Sequence, residues 1–449
     1  MSTDSSGDGR FDRRLGLADC VLLSVGGMVG SAIFVFPGST GRLTGPSAVL
    51  AWVCAGVLMS AIALCYTELT LAFPKAGAPA VFPYEAFGTD PRLQSFASYL
   101  EGVGYSFGWV FGITVSALAV GDYLGVLFPG AGGYTVPLAL LAVALAGTVN
   151  LLGVRITTRT NLVLSAVLLA SLASFVAAGL GQVRPTAYRP FFTGGAPSFL
   201  AAVQIATTAY GAWTVVPAAI EEVRDPARTA PRAILLSLTV VVTVYAAVVA
   251  TLHGIVPTAE FTTGSQVMTT PLGVAVMRLG LPWLRYVLAA GAVVAIFTTM
   301  LVGVLSAGRV LFALGDNGTL PRAFAARHEG TDVPWVGVAT VTGAAGALAL
   351  FPGYFYQLLV VSSVLGTGLP YAINLLSFLG YRRYRDDVSS AFRVPGGYGV
   401  PVLAFLALGV AMIGLGATEV LWSTTALLLL TGYYAVQSVA TSRLSLSPR

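Results

Sequence analysis

The residues best placed to do chemistry here carry almost no side chain: Ser24-Val25-Gly26-Gly27-Met28-Val29-Gly30-Ser31-Ala32-Ile33-Phe34. Three glycines and a serine fall within residues 26–31, inside an otherwise apolar run. Glycine weakens a helix by its conformational freedom. If the backbone unwinds there, the half that follows presents unpaired N–H groups and the positive end of a helix dipole. The half that precedes presents unpaired carbonyls. Such a break can hold a carboxylate on one side and an ammonium or metal cation on the other. The alternative is a groove for helix packing, since Gly26 and Gly30 have GxxxG spacing. A second segment, Thr207-Thr208-Ala209-Tyr210-Gly211-Ala212-Trp213-Thr214, sets one glycine among hydroxyl and aromatic side chains. A packed aromatic contact is its alternative.

Side-chain chemistry is sparse. Cys20, Cys54 and Cys65 lie in apolar runs without ligand spacing, and the two histidines, His253 and His328, are far apart. Neither a zinc site nor a disulfide framework is expected. No H-E-x-x-H, no Ser/His/Asp set and no acidic pair is present to serve a membrane enzyme, so no catalytic residue is assigned. Asp19 and Glu68 lie near span ends, where an ion pair with an arginine is the expectation. Glu101 sits deeper, as a candidate for pairing with a cation or carrying a proton, and Asp122 is expected near an aqueous mouth.

The elements that must position these residues follow from composition. The 449 residues are 56% hydrophobic and 10% charged, where a soluble domain carries roughly a quarter charged residues. Mean hydropathy is +0.82. The solvent for most of the surface must be lipid. Net charge is +5, and 23 of the 24 basic residues are arginines in short clusters rather than a stripe, which gives no footprint for nucleic acid. Runs of about 20 apolar residues predict spans near 15–40, 46–72, 93–128, 134–152, 160–181, 197–222, 233–256, 282–315, 334–351, 355–380, 401–418 and 420–441. The fold class is therefore all-α integral membrane, with about twelve helices. With the N-terminus inside, only Arg42, Arg184, Arg189, Arg278 and Arg285 of the 24 basic residues fall outside. That bias predicts cytoplasmic termini. The expected organisation is a disordered tail at 1–14, a ten-helix core at 15–396, and helices 11 and 12 with a short C-terminal segment at 397–449. The two glycine segments lie in the first and sixth spans. Each would open a five-helix repeat, and interrupted helices at matching places in two repeats point to a midplane binding site.

At this point the chain resembles the amino acid–polyamine–organocation superfamily of transporters. Gly26 to Phe34 resembles its first-helix signature, Tyr66-Thr67-Glu68-Leu69 with Phe73-Pro74-Lys75-Ala76-Gly77 its Y-x-E-L…F-P-x-A-G run, and Phe87-Gly88 its F-G pair. Glu221 to Ile234 and Arg309 to Pro321 resemble two further motifs, in the same order and spacing. The resemblance implies a five-plus-five inverted repeat with broken helices 1 and 6, plus two added helices, in the cell membrane. It implies an amino acid permease, working as symporter or antiporter by alternating access, with an amino acid and the lipid bilayer as partners. A polyamine or other small organic substrate, and a non-transporting sensor, are the alternatives; oligomeric state is open. Carried over, Ser31 and the N–H groups after Gly30, at Ala32, would hold a carboxylate. The carbonyls of Gly27 and Met28, with those around Thr208 and Ala209, would take the amine. Tyr210 would be a gate, and Gly211 and Trp213 would shape the side-chain pocket. Ala32 stands where the family commonly has Gly, and Ala78-Pro79-Ala80 replaces a Gly-x-Tyr.

No cofactor is implied beyond a coupling ion, Na⁺ or H⁺. Leu168 occupies the place of a lysine used for protons by some members. Ala295-Ile296-Phe297-Thr298-Thr299 resembles a segment that ligates sodium in symporters of the same fold, with Gly26 and Val29 supplying the remaining carbonyls. Back-bonding of the two threonines to their own helix is the alternative.

Overall fold

A computed structural model describes residues 15–73, 78–86, 91–153, 158–261, 268–385 and 387–445. The expected tail, 1–14, and the motif residues Pro74–Gly77 and Phe87–Gly88 lie outside them. Among the described residues the chain is helical, with no strand. The chain is an all-α membrane protein: lipid offers backbone groups no partner, and helices satisfy them within the segment.

Fourteen helices carry the architecture. They are α1 (Leu17–Met28), α2 (Ser31–Thr44), α3 (Ala48–Ala72), α4 (Pro91–Leu127), α5 (Thr135–Leu151), α6 (Thr158–Leu180) and α7 (Gly195–Thr208). After these come α8 (Pro226–Ile255), α9 (Pro282–Asp316), α10 (Trp335–Ala349), α11 (Phe355–Ser363), α12 (Leu369–Tyr384), α13 (Gly399–Ile413) and α14 (Ala417–Ser445). Among the described residues eight helices are long and apolar enough to cross a membrane, or nine if the α13–α14 pair, bent by 118°, counts as one more. That is fewer than the expected twelve. Ser31–Ala72 enters as one 42-residue stretch although a 3₁₀ turn at Gly45–Ser47 divides it, and α1 and α10 fall short in length.

The helices sort into two groups. In one, α8 packs on α1 and α3, while α7 packs on α2 and α3; in the other, α4 packs along α9, α5, α10 and α11. Small residues bring the second group close. A Cβ on Gly337 of α10 would lie 2.5 Å from the Gly308 carbonyl oxygen of α9, so backbone meets backbone there. At one end of the molecule Arg382 of α12 holds Glu68 of α3 in a two-pronged ion pair (Nε–Oε1 2.9 Å, Nη2–Oε2 2.7 Å). The Val394 N–H donates to the same carboxylate at 2.6 Å, and Phe378 lies under the guanidinium at 4.7 Å. This is the arginine ion pair expected for Glu68. Asp19 instead accepts from the Gly16 N–H at 2.9 Å, capping α1. A carboxylate at a helix N-terminus answers the dipole and needs no cation.

The α9–α10 seam sets an expectation. Gly337→Ala should cost about 1–3 kcal/mol by overpacking. Gly343→Ala, on the same helix and with open space around its Cα, should be neutral or gain up to about 1 kcal/mol from helix propensity. Apparent unfolding temperatures of the detergent-solubilised variants check the contrast.

Candidate functional site

The interruption of the first span falls at Val29–Gly30, between α1 and α2. A continuous helix would send the Gly30 N–H to Gly26 and the Ser31 N–H to Gly27. Here the Gly30 N–H donates to the Met28 carbonyl at 2.8 Å, and the Ser31 N–H donates to the Thr299 hydroxyl of α9 at 3.1 Å. The carbonyls of Gly26 and Gly27 therefore lose their usual donors. The next N–H groups of α2, at Ala32 and Ile33, have no helical acceptor, and Gly30 at the N-cap position has no side chain to offer them. Opposite partial charges thus face one another across a single peptide break. Gly30 has to be glycine: a Cβ there would overlap Thr299 Oγ1.

The sixth span is tightened rather than opened. α7 ends at Thr208, and a 3₁₀ turn runs Gly211–Thr214. The Ala209 and Tyr210 N–H groups donate to carbonyls three residues back, each at 3.1 Å. The two interruptions touch, for a Cβ on Gly27 would lie 3.4 Å from the Ala212 carbonyl oxygen.

Between them lies a cavity of about 380 Å³ lined by Gly26–Ala32, Thr208, Ala209, Gly211, Thr298 and Thr299. This volume is within the roughly 300–1,000 Å³ of small-molecule pockets. Ser116 of α4 donates to Ser31 Oγ at 3.3 Å. Tyr210 and Trp213 are not among the lining residues. Tyr210 is fully buried behind it, donating its hydroxyl to the Trp52 carbonyl at 2.9 Å beside the rings of Trp52 and Tyr245. This places the residue expected as a gate in the seam with α3 and α8. Trp213 stacks on Tyr371 at 5.9 Å and meets Tyr66 edge-on at 5.0 Å, so it backs two tyrosines that do line the cavity. The Met28 carbonyl, expected to take an amine, already accepts the Tyr245 hydroxyl at 2.6 Å as well as Gly30.

Sequence reasoning singled out Glu101 but missed the rest of the opposite wall. Tyr105 and Glu101 of α4 and Thr367, Tyr371 and Asn374 of the last wall also line the cavity. Thr367 donates to the Thr208 hydroxyl at 3.2 Å, and the Tyr371 hydroxyl lies 3.5 Å from the Gly211 carbonyl oxygen. Asn374 Nδ2 donates to Glu101 Oε1 at 2.7 Å. A π-helical turn at Val364–Gly368, between α11 and α12, aims this wall inward; such turns cluster at functional sites. The available signals were Gly104, Gly108 and Gly112 at four-residue spacing, and the run Val364-Leu365-Gly366-Thr367-Gly368. Asp122 is not merely solvated: Thr135 donates to it at 2.7 Å, and Thr269 donates to its other oxygen.

Of the residues expected to bind sodium, Gly26, Val29, Thr298 and Thr299 line the cavity. Thr298 and Thr299 both donate to the Ala295 carbonyl at 2.9 Å, and the Thr299 oxygen accepts Ser31 N–H. Ala295 is fully buried and does not line the cavity. Each threonine spends its hydrogen on its own helix, the back-bonded alternative; the hydroxyl oxygens keep lone pairs, and a hard cation would need several such oxygens to converge. Among the described residues no group of three His, Cys, Asp or Glu side chains could hold a metal ion.

A family model described as amino acid permease matches residues 15–438. A branched-chain amino acid permease of Bacillus subtilis (strain 168) is 27% identical over 435 residues, covering 92% of this chain and 90% of that protein. A methylthioribose transporter of the same organism is 26% identical, over 89% and 87% of the two chains. A chloroplastic cationic amino acid transporter 9 of Arabidopsis thaliana is 30% identical, over 72% of this chain and 58% of its own length.

A saturating ion at 100 times its Kd would stabilise the fold by about 2.7 kcal/mol. Replacing sodium by choline at equal ionic strength should leave the unfolding temperature of the purified protein unchanged. A sodium-dependent rise would support the cation site.

Proposed function

The chain belongs to the amino acid permease family, and from that premise we propose that it is a secondary transporter moving amino acids across the cell membrane by alternating access. The observation that carries this reading is the break at Val29–Gly30, with its freed carbonyls and freed N–H groups. An α-amino acid brings a carboxylate and an ammonium on adjacent atoms. The carboxylate would sit at the start of α2, against the N–H groups of Ala32 and Ile33 and the Ser31 hydroxyl, where the helix dipole favours an anion. The ammonium would take the carbonyls of Gly26 and Gly27, with Gly211 opposite. Thr208, Ala209, Thr367 and Tyr371 would bound the side chain. Tyr210 and Trp213 would act from behind the wall rather than on the substrate.

Counting α1–α2 and α11–α12 as one crossing each gives twelve, which supports the expected topology with both termini cytoplasmic. In this reading 15–396 forms the transport core and 397–449 its two added helices. The group of α1, α2, α3, α7 and α8 would rock against that of α4, α5, α9 and α10, whose mutual packing differs from the contacts across the cavity. Its pivot contacts would include the Ser31–Thr299 bond, which joins the two groups. The family and its relatives transport rather than catalyse, so no catalytic set is proposed.

A second reading has an observation of its own: the relative named a methylthioribose transporter carries its compound on a similar chain. A substrate without an α-amine would then use the Ser31 side of the break alone.

Uptake into proteoliposomes, with common amino acids, polyamines and methylthioribose competing against one labelled amino acid, should show inhibition by amino acids alone. Ser31→Leu should cut uptake by more than tenfold, equivalent to about 1.4 kcal/mol, with an unfolding temperature near wild type. Uptake at the wild-type rate would remove the site. Substrate-dependent stabilisation without flux would instead make the protein a sensor.

A further inference from the structure

Glu101 and Asn374 carry complementary vacancies. Glu101 is fully buried on α4 and lines the cavity. Its Oε1 accepts from Asn374 Nδ2 at 2.7 Å, and its Oε2 has no partner among the described residues. Asn374 Oδ1, on the same amide, has none either. Both orphans are acceptors, so no rotation of either group lets them satisfy each other. One proton does. A carboxylic acid and a carboxamide are planar groups of matching span, each with one donor and one acceptor. With a hydrogen on Oε2 the pair closes through two parallel bonds, Nδ2–H to Oε1 and Oε2–H to Oδ1. Exchanging the amide nitrogen and oxygen leads to the same place, for the oxygen facing Glu101 at 2.7 Å would then itself require a carboxyl proton.

The surroundings ask for the same proton. The titratable groups facing Glu101 are phenols: Tyr66 from α3, Tyr105 from α4 and Tyr371 from α12. Among the described residues its hydrogen-bond partner is Asn374. Among the described residues, no arginine or lysine lines the cavity with Glu101. Arg382 is held by Glu68, Glu85 of the helix at 78–86 lies 4.0 Å from Arg385, and Arg309 of α9 is exposed. An ionised carboxylate in that setting would be buried without a counter-charge, an arrangement proteins avoid by binding a proton.

We propose that Glu101 is a proton-binding site on the transport path, held as the neutral acid in this state by the Asn374 carboxamide. This rests on the transport reading and adds its coupling ion. Glu101 shares the cavity wall with Tyr105 and Tyr371. A proton taken from water on one side converts carboxylate to acid and closes the α4–α12 pair. Its release to water on the other side restores the carboxylate, which leaves Oε2 in need of solvent and so favours a wetter, more open cavity.

The test uses the full chain in proteoliposomes. The infrared spectrum of the wild type at pH 7 should contain the carbonyl stretch of a protonated carboxyl that is missing in Glu101→Gln. Asn374→Ala should move that stretch to higher frequency, because the acid loses its partner; this arm still decides if E101Q fails to fold. With a labelled amino acid, an inward proton gradient should drive accumulation that a protonophore abolishes. E101Q should lower the ratio of gradient-driven to exchange uptake at least tenfold. An ionised Glu101 at pH 7, or a wild-type ratio in E101Q, would overturn the proposal. If the wild type takes up no compound, the transport reading fails while the infrared result still decides the proton site.

Discussion

Each backbone donor and acceptor inside a membrane must find a partner in the protein, and breaking a helix there sets the terms for everything around it. At Gly30 the chain forgoes two i→i−4 bonds. It recovers the two donors through the Met28 carbonyl and the Thr299 hydroxyl, and leaves the acceptors of Gly26 and Gly27 unspent. The imbalance is what makes the break a site. A fully rebonded kink would be inert, and a fully unbonded one would cost several kcal/mol per orphan group. The acceptor that completes it, the Thr299 hydroxyl, comes 268 positions later in the chain. The break is therefore a property of the folded molecule, prepared by glycine composition and finished by α9.

Close packing behind the break serves the same end. Tyr245 reaches the Met28 carbonyl, and Tyr210 and Trp52 fill the space beside it. These aromatic contacts immobilise the far side of α1 and α7 against α3 and α8, so that only the near side faces the cavity. On the opposite wall small residues let α4 approach the π-helical turn closely, and the turn directs Thr367 inward while Tyr371 follows on α12. A rigid cluster on one side and a glycine seam on the other give two bodies that meet chiefly across the cavity.

Membrane class, the helical fold and the place of the first break were legible in the sequence, because hydropathy and glycine content are local properties. The second break was legible in position but not in form: Thr207–Thr214 tightens into i→i−3 bonding, which a single glycine permits as readily as unwinding. Side-chain direction was not legible. Tyr210 turns away from the cavity because the Trp52 carbonyl and two rings lie behind it, and none of these is near it in sequence. The threonine pair at 298 and 299 carries the right oxygens for a cation, and that both hydroxyls donate back to Ala295 was legible only as an alternative. Apart from Glu101, the wall from α4 and α12 escaped notice because glycines four apart also mark ordinary helix contacts.

Charge balance connects the break to the carboxyl below it. A zwitterionic amino acid adds no net charge to the cavity, so it needs dipoles rather than counter-ions, and dipoles are what the helix ends supply. Among the residues lining the cavity the single ionisable acid is Glu101, and no lysine or arginine accompanies it. A cavity that admits a neutral substrate and holds a neutral acid is electrically consistent when loaded. With the acid ionised it carries an uncompensated charge, which water entering as the cavity opens would solvate. The same absence of a basic partner that makes the carboxyl costly to ionise in the closed state would then make its proton responsive to opening.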